Sequence, residues 1–223
     1  FKLVDEIDSL SISSEYELSI VIVNDASNHD RDETVKEYNN LKSVKILNMK
    51  INQGHARCIA TGLKYINEKE DFDYIIPMDG DGEDRPEEIL QFIENINNSN
   101  NKPIVGERVK RSESLLFQIC YKIHKLITLV FTGHTIKYGN FTCLPKDTVE
   151  KMTKEKATWN SFSGALKKIE KDLIKVPSVR GSRYFGPSKM SFKNLITHSL
   201  SIISVFRKTV LFRSALFIVF YIL

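Results

Sequence analysis

Short runs of β-branched and apolar residues, separated by longer stretches with helical spacing, restrict the folds open to this chain. These strand-like runs are residues 18–23, 44–47, 74–78 and 104–105. Runs that are apolar at successive positions are typical of strands buried on both faces of a parallel sheet. Residues 54–67 and 86–96 repeat apolar residues with the period of an amphipathic helix. This alternation predicts an α/β fold, with a doubly wound, mostly parallel sheet and helices on both faces.

The part of the chain after Asp172 differs in charge from the part before it. It contains no acidic residue and eight basic ones, so the formal net charge of +4 for the whole chain leaves −4 on residues 1–172. Basic residues beside an apolar end favour anionic lipid or phosphate as a partner. Nucleic-acid binding is not expected, because the sequence has neither an aromatic-basic stripe nor the spacing of a zinc site.

Three further apolar stretches are residues 115–131, 192–206 and 209–223. The first is predicted to be either a core helix or a helix that lies on a membrane or a partner subunit. The last has fifteen residues, fewer than the about 20 that cross a bilayer, and the sequence stops within it. We therefore expect the start of a transmembrane helix. The alternative is that this segment is a buried helix of a soluble protein. Arg213 would then need a buried partner.

The cysteines Cys58, Cys120 and Cys143 are odd in number and widely spaced, so they form no metal-ligand or redox pair. We expect them to be reduced and mostly buried, as in a cytosolic domain. The sequence begins without Met or a signal peptide, and we expect it to be a fragment.

The strongest chemical signal is the sequence DGDGED at 79–84, directly after the apolar run 74–78. In open α/β sheets, ligands bind at this end of the strands. Asp79 and Asp81 can both reach a hard divalent cation and the nucleotide beside it. Such a cation takes oxygen ligands and bridges phosphate oxygens. The competing interpretation, an acidic turn in which Asp84 caps the next helix, does not account for these two aspartates. A calcium-binding hand is excluded, because the sixth residue counted from Asp79 is an acid rather than Gly.

Two weaker signals lie earlier in the chain. The sequence VNDAS at 23–27 places Asp25 at a strand end, where a carboxylate can accept hydrogen bonds from a nucleotide base or ribose. The sequence NQGHAR at 52–57 places Gly54 at a helix start, where backbone amides can approach an anion. Each pattern is also common in ordinary turns.

Taken together, five motifs in this order resemble those of the family 2 glycosyltransferases, and in particular the polyprenyl-phosphate glycosyltransferases related to dolichol-phosphate mannosyltransferase. VNDAS resembles the family's VDDGS, NQGHARCIATGL its NxGHxxAxxxGL, and MDGDGEDRPEEI its MDADxxxxPEdI. Further on, GERVKR is similar to GxRxxR, and RYFGPSKMS to RxxGxSKxS. The resemblance runs from about residue 2 to the C-terminus.

The resemblance implies a GT-A fold and an inverting transfer of sugar from a UDP- or GDP-linked donor to a polyprenyl phosphate. It also implies Mg²⁺ or Mn²⁺ at Asp79 and Asp81. The implied donor-binding residues are Asp25, Asn52, Gly54, His55, Asp79 and Gly80. The implied contacts to the acceptor phosphate are Arg108, Arg183, Ser188 and Lys189. The expected catalytic residues are Asp81, Arg108, Arg183 and Lys189.

The sequence departs from the family pattern at several places that bear on the reaction. The opening strand with its PxYNE motif is absent, and Asn24 replaces the first acid of DDGS. In YGNFTCL, Asn140 and Thr142 replace an acidic and a basic residue, so we assign no general base there. Residues 157–169, where many members carry a catalytic Asp, contain no carboxylate. A hydroxyl acceptor needs a base, whereas a phosphate acceptor is already anionic and needs cationic contacts.

The predicted organisation is a catalytic domain over 1–176, an acceptor-side and membrane-interface segment over 177–208, and a truncated transmembrane helix over 209–223. We expect the catalytic domain on the cytoplasmic face of a membrane, because basic residues precede the final apolar run. Formation of a homo-oligomer is left open. The alternative functions are transfer to a hydroxyl group in polysaccharide or glycolipid synthesis, and a non-catalytic scaffold that binds nucleotide sugars.

Overall fold

The computed structural model describes residues 1–27, 37–109, 115–186 and 192–222. Its strands are β1 (Leu18–Asn24), β2 (Leu41–Asn48), β3 (Tyr74–Ile75), β4 (Ile104–Arg108), β5 (Tyr138–Pro145) and β6 (Ile174–Ser178). The first helices are α1 (Lys2–Asp8), α2 (His55–Lys69), α3 (Glu88–Ile96) and α4 (Leu115–Thr132). They are followed by α5 (Lys146–Lys154), a short 3₁₀ helix (Lys156–Trp159), α6 (Phe162–Ile169), α7 (Phe192–Val205) and α8 (Arg207–Ile222).

Helices cover both faces of the sheet that contains β3, β4, β5 and β6. On β4, Ile104 belongs to one hydrophobic cluster and its neighbour Val105 to another, and Cys143 and Leu144 on β5 divide in the same way. Since successive side chains of a strand point to opposite faces, the two clusters lie on opposite faces. The first cluster includes residues of α1 and α3, and the second includes residues of α2, α5 and α6. The predicted α/β architecture is confirmed.

The strands form two sheets, and their directions differ from the prediction. β1 and β2 pair in parallel. The second sheet has the order β3-β5-β4-β6, in which β4 and β6 are parallel but β5 is antiparallel to both of its neighbours. The prediction of a mostly parallel sheet is therefore wrong for this sheet. An apolar run indicates burial on both faces, but it does not specify the direction of the neighbouring strand.

A cavity of about 2550 Å³ lies between the two sheets. It is lined by residues 18–23 of β1, by residues 74–78 in and after β3, and by apolar side chains of α2 and α3. Within the described chain, no strand pairing joins β1 to β3. The cavity is larger than the roughly 300–1,000 Å³ of a small-molecule pocket, and it extends from the polar residues described below into the interior.

The C-terminal helices pack against the end of α4. The rings of Phe131 and Phe217 lie 6.1 Å apart, and those of His134 and Phe206 lie 4.7 Å apart. Among the described residues, no helix is both long enough and apolar enough to cross a bilayer, so the predicted start of a membrane span at 209–223 is not supported.

Arg213 finds a partner that the sequence argument did not consider. Its Nη1 donates to the carbonyl oxygen of Val130 over 2.9 Å, at the C-terminal end of α4. Cationic groups are favoured there by the helix dipole. Gly133, with a φ of 77°, ends this helix, and a Cβ at this position would lie 2.6 Å from Nη2 of Arg213. The hydrogen-bond acceptor for Arg213 is therefore a backbone carbonyl and not an acidic side chain.

Candidate functional site

The acidic turn after β3 is held by hydrogen bonds from its own backbone. Oδ2 of Asp84 accepts from the backbone N–H of Asp79 over 2.9 Å, and Oδ1 of Asp81 accepts from the N–H of Glu83 over 3.0 Å. Asp84 therefore closes the turn. It does not cap the next helix, which is the role that the competing interpretation gave it. The helix α3 begins only at Glu88, and no side chain caps its first turn.

Asp84 is the most buried acid of this turn, with 7% of its surface exposed. Burial, and next the charge of Asp79, raise the pKa of the Asp84 carboxyl to about 7. Hydrogen bonding from the Asp79 amide and the charge of Arg108 act in the opposite direction. The turn therefore holds three acids that line the cavity, Asp79, Asp81 and Glu83, and a fourth, Asp84, that takes up a proton near neutral pH.

Asp79 has an oxygen whose surroundings fit a cation. Its Oδ1 is buried and accepts no hydrogen bond within the described part of the chain. Nε2 of His55 lies 3.4 Å away, but the Asn140 side-chain amide Nδ2 also contacts Nε2. With that amide as the donor, Nε2 is an acceptor, and the short approach to Asp79 is not an ion pair.

The two aspartates match the way in which Mg²⁺ is usually held, by one or two carboxylates together with water and substrate phosphates. The described residues contain no group of three or more His, Cys, Asp or Glu side chains arranged to hold a metal ion. Asp79 and Asp81 would therefore share a cation with oxygen atoms of a bound phosphate. Open space lies over Gly80 between them, since a Cβ there would meet no atom within 4 Å.

The predicted phosphate-binding residue Arg183 lies against the acidic turn. Its Nη2 is 3.2 Å from Oδ2 of Asp81, and its Nε donates to Oε1 of Glu83 over 3.0 Å. Arg180 pairs with the same Glu83 carboxylate. Ser188 and Lys189 lie outside the described residues.

The residues predicted to bind the donor form a second cluster, around Asp25. Its Oδ1 accepts from the backbone N–H of Gln53 over 2.7 Å, and its Oδ2 accepts from that of Gly54 over 2.8 Å. The side-chain amide of Asn52 donates to the backbone carbonyl of Asp25 over 3.0 Å. The amide of Gly54, predicted to be available to an anion, is thus already bonded to a carboxylate of the protein.

These contacts change the acidity of Asp25. Burial raises its pKa, but hydrogen bonds from the amides of Gln53 and Gly54 and from the thiol of Cys58 outweigh burial, so the pKa is lowered. Burial, and then the hydrogen bond to Asp25, raise the pKa of Cys58 to about 11. Cys58 and Cys143 are buried free thiols, as predicted. Gly54 has a φ of 89° where the loop enters α2, a conformation that favours glycine.

Most of the predicted residues face the cavity between the sheets. Arg108, at the end of β4, lies beside Gly139, since a Cβ at Gly139 would be 3.3 Å from Nη2 of Arg108. The cavity is lined by Gly54, His55, Asp79, Gly80, Asp81, Arg108 and Arg183, and also by Trp159, Asn160 and Ser161 from the segment without carboxylates. Candidates for the donor, metal and phosphate sites therefore meet in this cavity, although Asp25 and Asn52 are not among its lining residues.

Sequence reasoning did not identify three residues of this site. Glu83 and Arg180 pair across 97 positions of the chain, and Asn140 contacts His55 across 85. The spacing of residues within a short segment cannot predict contacts between residues so far apart in the chain. The repeated arginine at 180 and 183, next to a glycine, was the available signal for Arg180.

The family model described as Glycosyl transferase family 2 matches residues 3–171. The matched range includes both aspartates of the turn and the loop around Gly54. No curated protein matches the chain.

Proposed function

The chain belongs to glycosyl transferase family 2, and we propose that it transfers a sugar from a UDP- or GDP-linked donor to a polyprenyl phosphate, with inversion and with Mg²⁺ or Mn²⁺. A glycosyltransferase of this family uses a nucleotide-sugar donor and an acceptor. Membership of the family does not specify the acceptor, the metal or the role of each residue, and we propose these here.

One observation carries the choice of acceptor: the guanidinium of Arg183 lies at the acidic turn, 3.2 Å from Asp81 and bonded to Glu83. Arginine binds phosphate oxygens well, because its planar fork donates two parallel hydrogen bonds. A phosphate held by Arg183 would lie next to a donor diphosphate bound at Asp79 and Asp81. The attacking oxygen and the sugar would then be close together.

The side chains present suit a phosphate nucleophile better than a hydroxyl. A hydroxyl acceptor needs a base to remove its proton. Of the residues that line the cavity in the segment 157–169, Asn160, Ser161 and Ser163 are polar but carry no carboxylate. A phosphate monoester at neutral pH is already anionic, so it needs only cationic groups to hold it. Arg108 and Arg183 supply these, and Lys189 is expected to do so.

In this mechanism, Asp25 and the Asn52–Gly54 loop would hold the nucleoside, and Asp79 and Asp81 would hold the metal. A bound divalent cation would stabilise the negative charge that develops on the departing diphosphate. Arg183 and Arg108 would orient the acceptor phosphate toward the sugar carbon. The sugar carbon passes through an oxocarbenium-like state, as in other glycosyl chemistry.

We propose that the protein acts at the cytoplasmic face of a membrane. Exposed apolar side chains on three helices support this proposal, among them Leu126 on α4, Leu200 on α7 and Phe212 on α8. These helices contain no acidic residue, and Arg207 and Lys208 begin α8. Anionic headgroups would add about 1 kcal/mol for each basic residue near the surface. Cell fractionation with a carbonate wash tests attachment, and digestion of the domain from the outer face would contradict the orientation.

Two other functions remain as alternatives, transfer to a hydroxyl acceptor and a non-catalytic scaffold. A screen of UDP- and GDP-sugars with a short polyprenyl phosphate and Mg²⁺ or Mn²⁺ separates them. We expect one donor to release nucleoside diphosphate together with a glycosylated lipid phosphate. Release of nucleoside diphosphate only with hydroxyl acceptors would favour the first alternative. Donor binding without release under any condition would favour the second.

A further inference from the structure

Glu83 carries a nearly buried carboxylate for which the proposed transfer has no chemical step. We propose that it is a positioning residue, which holds Arg183 beside the metal turn in the orientation that receives the acceptor phosphate. This inference rests on the proposed function, in which Arg183 contacts that phosphate. Glu83 is itself neither a metal ligand nor a phosphate contact in this account.

The side-chain contacts support this role. Only 12% of the Glu83 side chain is exposed. Its Oε1 accepts from Nε of Arg183 over 3.0 Å, and its Oε2 lies 3.4 Å from Nη2 of the same guanidinium. Arg180 pairs with Oε2 as well. One carboxylate therefore binds two arginines that would otherwise repel each other.

The backbone fixes Glu83 relative to the arginine segment before any ligand binds. The N–H of Gly181 donates to the carbonyl of Glu83 over 2.8 Å, and the N–H of Tyr184 donates to the carbonyl of Asp81 over 2.8 Å. A Cβ at Gly181 would lie 2.5 Å from the carbonyl oxygen of Gly82. Only glycine permits this approach, so the metal turn and the arginine segment form one unit.

Arg183 needs a second carboxylate because a cation competes for the first. A divalent cation bound by Asp81 would take the oxygen that now pairs with Nη2 of Arg183, and it would repel the guanidinium. Glu83 binds the Nε side of the guanidinium and would retain it there. Nη1 and the second N–H of Nη2 would then be available for two hydrogen bonds to a phosphate.

The test is a double-mutant cycle on phosphate binding. Binding of a short polyprenyl phosphate in the presence of Mg²⁺ is measured by calorimetry for the wild type, Glu83→Gln, Arg183→Ala and the double variant. We expect each single change to weaken binding about tenfold, the value of one charged hydrogen bond. The double variant should bind more tightly than the product of the two losses predicts, because Glu83 acts through Arg183.

The controls separate positioning from a general loss of structure. Glu87→Gln, an exposed acid four residues away that pairs with Arg85, should bind the lipid phosphate as the wild type does. Nucleoside diphosphate binding should change little in Glu83→Gln, since the backbone N–H of Glu83 still donates to Asp81 and the side chains of Asp79 and Asp81 are unchanged. If Glu83→Gln does not fold, Glu83→Asp withdraws the charge by one methylene, and we expect weaker lipid-phosphate binding there also.

Three results would overturn the inference. Wild-type affinity in both Glu83→Gln and Glu83→Asp would show that Glu83 does not position Arg183. Fully additive losses in the cycle would show that Glu83 acts independently of Arg183. If the wild type itself binds no polyprenyl phosphate, the proposed acceptor fails and the inference fails with it. The first two results leave the proposed function intact.

Discussion

Nη2 of Arg183 lies 3.2 Å from Oδ2 of Asp81. One of these residues is predicted to hold the acceptor phosphate and the other the metal ion that binds the donor. In the absence of ligands, Arg183 contacts the oxygen of Asp81 that a bound cation would use. Binding of the cation and the position of the arginine are therefore physically linked.

Replacing Asp81 with Asn should remove the dependence of nucleoside diphosphate binding on Mn²⁺ and lower the rate of transfer about 10²–10³-fold, the loss typical when a charge-stabilising group is removed. The amide can still accept from the N–H of Glu83, so the turn should keep its shape. Calorimetry with and without Mn²⁺ measures the binding. The control Asp71→Asn changes a fully exposed acid and should have no effect. Metal-dependent binding that survives in Asp81→Asn would contradict the metal assignment.

Replacing Arg183 with Ala should raise the acceptor KM about tenfold to a hundredfold and leave the donor KM nearly unchanged, because one or two charged hydrogen bonds to phosphate are lost. Steady-state kinetics with each substrate varied in turn measures both constants. Arg85→Ala is the matched control, since Arg85 belongs to the same region but pairs with Glu87 at 3.6 Å. A rise in the donor KM alone would place Arg183 in the donor site.

Asp84 should make the metal-free protein less stable as the pH rises. Burial, followed by the charge of Asp79, raises its pKa from 3.8 to about 7. Between these values the folded state keeps a proton that the unfolded state releases, so the free energy of unfolding falls with increasing pH, by at most about 4 kcal/mol. Urea unfolding in EDTA at pH 5 and pH 7.5 measures the difference.

The variant Asp84→Asn tests the origin of that fall. Its amide oxygen can still accept from the N–H of Asp79, but it does not titrate. The free energy of unfolding should therefore change less between pH 5 and pH 7.5 than in the wild type. An equal pH dependence in both proteins would show that another group is responsible.

Ala26, directly after Asp25, has a φ of 51°, in the left-handed region that disfavours residues with a Cβ. Ala26→Gly should relieve about 1–2 kcal/mol of strain and lose about 0.4–1 kcal/mol through the greater freedom of the unfolded chain. We expect a net gain of roughly 0.5–1 kcal/mol in the free energy of unfolding, measured with urea. The control Ala60→Gly, inside α2, should lose about 1 kcal/mol or more. A loss in Ala26→Gly as large as in the control would contradict this prediction.

The sequence predicts the parts of the site whose residues lie close together in the chain. Asp79 and Asp81 directly follow an apolar run, and Gly54 opens α2, so adjacent residues carry the signal. The pairing of Glu83 with Arg180 joins distant segments. In the sequence, each of these residues is simply one charged residue near others. Such contacts depend on how the chain returns to the turn, which local patterns do not encode.

The same limit applies to the sheet. The apolar runs predict β1 to within one residue, and they fall inside β2 and β4 but cover only part of each strand. β5 lies in a segment with Gly, Asn and Thr among its apolar residues, and its pairing is antiparallel. β3 has only two paired residues, although the apolar run there continues to residue 78. Strand direction and ladder length follow from the neighbouring strands, which the run itself does not specify.

Whether the acceptor is a phosphate can be tested with two acceptors that differ only in that group. The donor that releases nucleoside diphosphate is incubated with Mg²⁺ and either a short polyprenyl phosphate or the polyprenol of the same length. Products are identified by mass spectrometry. We expect a glycosylated polyprenyl phosphate and no product from the alcohol. A glycosylated polyprenol, with the phosphate left unchanged, would contradict a phosphate acceptor.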